Sequence, residues 1–121
     1  MEKSKLELDR CILFPRSQKA SVAIENRELD SRYETEVIDI SYSDLSKLNI
    51  FGFFDYPKDI GISIVKNSFI QLPAVHIPLA IDAALKSRKE TIDKDLLNLI
   101  DRFVQKAKNS SRQGLPIWFN T

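Results

Sequence analysis

Between Leu72 and Lys89 the chain runs LPAVHIPLAIDAALKSRK, and inside that stretch the hydrophobic period changes. Upstream, apolar residues tend to fall on every second position. Beyond Pro78, Leu79, Ala80, Ala83 and Ala84, joined by Ile81 and Leu85, recur at helical spacing. Proline suits the first turn of a helix, where its missing N–H would have had no partner, so Pro78 marks a helix start. A residue preceding proline is pushed out of the α region. That makes Ile77 extended or a cap and puts His76, the single histidine, just outside the helix in the incoming strand or loop. The alanines predict a buried helix that a neighbour can approach closely.

Downstream, Thr91 or Asp93 is placed to cap a second helix. Its apolar positions Ile92, Leu96, Ile100, Phe103, Val104 and Ala107 repeat at helical spacing among charges. The pattern frays in KNSSRQG, and LPIWF after Gly114 reads as a final strand or packed tail. Upstream, KLELDRCILF alternates through Leu6, Leu8, Ile12 and Phe14 as a half-buried strand ended by Pro15, and KASVAIE alternates as a partner strand. EVIDISY is a third strand, with Ile38, Ile40 and Tyr42 on one face. Ser43 or Asp44 then caps one or two helical turns that stop at Gly52. Ile60 to Val65 and Phe69 to Leu72 read as two short strands joined by a tight turn at Lys66, Asn67 and Ser68. Strands gathered early and helices gathered late give an α+β class: an antiparallel sheet of five or six strands, packed on one face by a C-terminal helical pair.

The 121 residues match one domain, 1–121, with enough apolar content for one core. One cysteine, Cys11, leaves no internal disulfide, and MEKSKLELDR lacks the apolar core of a secretory signal, so a cytoplasmic location is expected. No apolar run approaches the roughly 18–20 residues that cross a bilayer. A single histidine and a single cysteine cannot build a zinc site, and Gly52, Gly61 and Gly114 stand too far apart for a phosphate-cradling loop. No cofactor or metal is expected, and no residue is marked as catalytic. For His76, helix entry or packing outweighs catalysis, because no companion nucleophile or ligand set accompanies it. Cys11 lies in a strand, where a thiol is usually buried and inert.

What remains is binding. The formal net charge is only +1, yet residues 25–59 hold nine acids against four bases, and residues 86–112 hold eight bases against four acids. Within NIFGFFDYPKDIG, Phe51, Phe53, Phe54 and Tyr56 crowd into six residues beside Asp55 and Asp59. Large rigid rings beside acids serve protein interfaces as anchors and steering charge. The competing reading is that two or three of these rings close the end of the core. Together with Glu36, Asp39 and Asp44, the segment predicts a small protein-binding module with a basic protein partner. In specific form, this is an immunity or antitoxin-like protein that neutralises a cationic effector such as a nuclease toxin. The alternative is a nucleic-acid-binding accessory or regulator using Lys86, Arg88, Lys89, Lys94, Arg102, Lys106, Lys108 and Arg112; against it, acids interleave with these bases and no helix-turn-helix corner is evident. A third class is a small enzyme built on carboxylates or His76.

Overall fold

A computed structural model of the chain describes residues 10–26, 35–56 and 69–121. Their order is β1 (Cys11–Pro15), α1 (Gln18–Glu25), β2 (Thr35–Asp39), α2 (Tyr42–Ile50), β3 (Phe69–Leu72), a 3₁₀ turn (Ala74–His76), α3 (Ile77–Glu90), α4 (Lys94–Gln113) and β4 (Ile117–Asn120). The fold is α+β. Among the described residues the sheet has four strands, fewer than the five or six expected, in the antiparallel order β2-β1-β4-β3. The last strand in the chain thus enters between the first and the third, and LPIWF supplies a central strand.

One missing strand is KASVAIE, which is helix α1. Ala20 and Ile24 are four apart as well as an even number apart, so both periods can bury them, and the cap decides between the two. Ser17 accepts a hydrogen bond from the Ala20 amide at 3.1 Å, and the helix buries Ala20, Ser21, Ala23 and Ile24 while Val22 is 46% exposed. The expected strand Ile60 to Val65, its turn at 66–68, and Leu6 and Leu8 lie outside the described residues. EVIDISY is shorter as a strand than it looks. Ser41 accepts from the Asp44 amide at 3.0 Å and starts α2 at Tyr42, ahead of the expected caps Ser43 and Asp44.

Strand β1 is buried on both faces. Ile12 and Phe14 join Ile38, Ile117 and Phe119 in the main core, against Leu96, Ile100 and Phe103 of α4 and Ile77, Ala80 and Ala84 of α3. Cys11 and Leu13 face the other way, into a smaller cluster with Trp118 and Ile24 of α1. A central strand with both sides covered loses the half-buried pattern, which is why CILFP is apolar throughout.

Ile77 is not extended. It is the first residue of α3, with φ −60° and ψ −43°, because the 3₁₀ turn carries the chain into the helix and the side chain is fully buried. Asp93 caps α4, accepting from the Asp95 and Leu96 amides at 3.0 and 3.2 Å, while Ile92 is 93% exposed and outside the helix. The far end does not fray. Gly114, at φ 71°, turns the chain so that its own amide and that of Leu115 bond to the carbonyls of Ser111 and Ser110, and buried Leu115 closes the end. No described helix is long and apolar enough to cross a membrane.

Candidate functional site

The aromatic segment is a turn that divides its rings. After α2, Gly52 adopts φ 84°, a left-handed backbone, and the Phe53 amide bonds back to the Leu48 carbonyl at 2.9 Å. A Cβ at Gly52 would come 2.8 Å from a carboxylate oxygen of Asp55. This tight reversal sends Phe53 and Phe54 inward, 3% and 1% exposed. Phe53 meets Phe54 edge-on at 5.0 Å and Phe103 at 4.9 Å, and Phe54 meets Phe119 at 6.0 Å. Both rings are core side chains, so the expectation that they contact a partner is corrected: the reversal after α2 turns them onto Phe103 and Phe119, and they fill the core there. Phe51 and Tyr56 stay half-buried at its margin, and Asp55 is exposed.

Those outer residues form one wall of a groove of about 820 Å³ whose other wall is α3. Leu79, Asp82, Ala83, Leu85, Lys86, Lys89 and Glu90 line it opposite Phe51, Gly52, Asp55 and Tyr56. Two bonds align the walls. The Tyr56 hydroxyl pairs with His76 Nδ1 at 2.8 Å, tying one end of the turn to the start of α3. At the other end, the Lys47 ammonium, near the close of α2, donates to Asp93 at 2.9 Å, just beyond the end of α3. His76 itself occupies the N-cap position without a side-chain capping bond, so its ring is spent on Tyr56. The groove carries apolar surface on its walls, with Leu79 half exposed.

The acids named from sequence are not gathered on one face. Glu36 lies opposite Phe14, on the α3–α4 side of the sheet, where Lys106 donates to it at 2.6 Å and Arg16 also pairs with it. That Lys106 bond, reinforced by Arg16, holds the Glu36 carboxyl below its ordinary range. Asp39 lies opposite Cys11, on the other side of the sheet, and is exposed. Asp44 sits in the first turn of α2. Asp59 lies outside the described residues. Of the nine residues, Phe51, Asp55 and Tyr56 come together in the groove.

On α3, sequence reasoning placed Leu79 in the apolar helix pattern and Lys86 and Lys89 in the nucleic-acid alternative, and marked neither them nor Asp82 as groove residues. Leu79, Asp82, Lys86 and Lys89 recur at spacings of three and four, on a face beside the buried stripe of Ala80 and Ala84. That leftover periodicity was the one signal for them. The basic residues are partly committed elsewhere: Arg88 holds Asp101 through two bonds of 2.6 and 3.2 Å, and Lys106 holds Glu36. The first pair draws the Asp101 carboxyl below its ordinary range. Among the described residues no cluster of three or more histidine, cysteine, aspartate or glutamate side chains could hold a metal. No protein-family model, curated protein or solved structure matches the chain.

Proposed function

We propose that the protein is a protein-binding module that seats its partner in the groove between the 51–56 turn and α3. One observation carries this reading: the outer rings, Phe51 and Tyr56, stand on a turn pinned from below by buried Phe53 and Phe54, beside half-exposed Leu79. Apolar groups held rigid before binding lose little entropy on binding, and an apolar surface with a charged rim is the usual anatomy of an interface. The biological form we favour is an immunity or antitoxin-like inhibitor of a cationic effector such as a nuclease toxin. Asp55 and Asp82 on the rim would steer its approach, and the rings would slow its release. A nucleic-acid reading through the basic helices has less support, because Arg88 and Lys106 are already neutralised by Asp101 and Glu36.

The test is affinity capture from the host with the wild-type chain and with Leu79→Arg, a half-exposed position where the fold should survive. A single protein recovered by the wild type and lost by the variant supports the proposal. Nucleic acid recovered equally by both at moderate salt would overturn it in favour of the basic helices.

A further inference from the structure

We infer that the occupant of this groove is a three-turn amphipathic helix of the partner, carrying a base at one end and an acid at the other. The inference rests on the binding proposal above and goes beyond it by naming the shape and charge pattern of what is bound. Length comes first. The α3 wall runs from Leu79 to Glu90, eleven steps along a helix, or roughly 16 Å at about 1.5 Å per residue. A helix of three turns spans the same distance and presents apolar residues at i, i+3 or i+4, and i+7, the spacing of the wall it would face. Among the described residues the groove is lined by a helix and a turn and by no strand edge, so an extended peptide would find no ladder of backbone hydrogen bonds along these walls.

Charge then sets the pattern. Because Tyr56 is tied to His76 and Lys47 to Asp93, the Asp55 end of the turn faces the start of α3 and the Phe51 end faces its close. Asp55 and Asp82 therefore mark one half of the groove, and Lys86 and Lys89 the other, with Glu90 partly offsetting the lysines. A uniformly basic helix would meet Lys86 and Lys89, and a uniformly acidic one would meet Asp55 and Asp82. Only a helix that changes sign along its length is complementary to both halves.

The experiment is selection of a displayed library of three-turn helical peptides, randomised on one face, against the full-length chain. The expected winners combine apolar anchors at helical spacing with a base near one end and an acid near the other. Their affinity should fall about five- to tenfold in Asp82→Lys and again in Lys86→Glu, both exposed positions. Peptides with the matching charge reversed should regain it. Winners that are basic throughout and bind Lys86→Glu as well as or better than wild type overturn the two-signed helix but leave the binding proposal standing. If no peptide is enriched whose binding is lost in Leu79→Arg, the helical occupant is overturned, and capture of the partner by wild type but not by Leu79→Arg decides the binding proposal separately.

Discussion

Replacing Phe53 by alanine separates the two roles of the 51–56 turn, closing the core and walling the groove. Phe53 is 3% exposed, and its ring touches Phe54 and Phe103 at centroid distances of 5.0 and 4.9 Å, so it links the turn to α4. Truncating a buried phenylalanine costs about 3–5 kcal/mol, through lost transfer energy and the cavity left behind. For 121 residues the unfolding entropy near the midpoint is about 0.25 kcal/mol/K, so a loss of about 4 kcal/mol lowers Tm by about 16 °C. Phe51 is only half-buried and faces the groove, so Phe51→Ala should cost about 1 kcal/mol, or about 4 °C. Thermal unfolding followed by circular dichroism reads both. Equal shifts for the two variants, or a fall below about 5 °C for Phe53→Ala, would mean that the turn is not anchored through its inner rings.

Other substitutions probe the frame around the groove. Ile92→Ser should change stability by less than about 0.5 kcal/mol, since Ile92 is 93% exposed, while Leu96→Ala, four residues on and fully buried, should cost about 2–5 kcal/mol in urea melts. Gly114→Ala should cost about 1 kcal/mol from the left-handed backbone alone, because nothing lies within 4 Å of an added Cβ. Glu36 titrates below its ordinary range when folded, through Lys106 first. Its pair therefore contributes about 1 kcal/mol or less at neutral pH, and that contribution disappears as pH falls through the folded value. Glu36→Gln should accordingly lower stability at pH 7 and flatten the acid limb of a stability-versus-pH curve. Tyr56→Phe removes the hydroxyl partner of His76 Nδ1, and the ring nitrogen shifts of His76 should move while the helical signature of α3 stays.

The elements that sequence patterning located best are those whose period is unambiguous. α4 has a one-sided apolar stripe over 20 residues with Asp93 ahead of it and Gly114 behind, and Pro78 marks the first turn of α3. α1 was not legible as a helix, because alternation over KASVAIE satisfies a strand and the deciding bond belongs to a serine three residues before the first buried position. The place of β4 between β1 and β3 was also hidden, since strand order depends on long-range pairing that local periodicity does not carry. At the candidate site, the density of rings at 51–56 and the helix stop at Gly52 were visible, but the division into two core and two groove residues depends on where the left-handed backbone at Gly52 aims each ring, which local periodicity does not carry. Acids close in sequence were separated because alternate residues of a strand point to opposite faces, as Glu36 and Asp39 do.

The measurement that bears most directly on the binding surface is the amide NMR footprint of the captured partner on the labelled chain. Shifts should concentrate at Gly52, Asp55, Leu79, Asp82 and Lys86, around the groove. Shifts confined to Val37, Asp39 and Gln71 on the other side of the sheet, or to Arg102, Lys108 and Arg112 on α4, would contradict it.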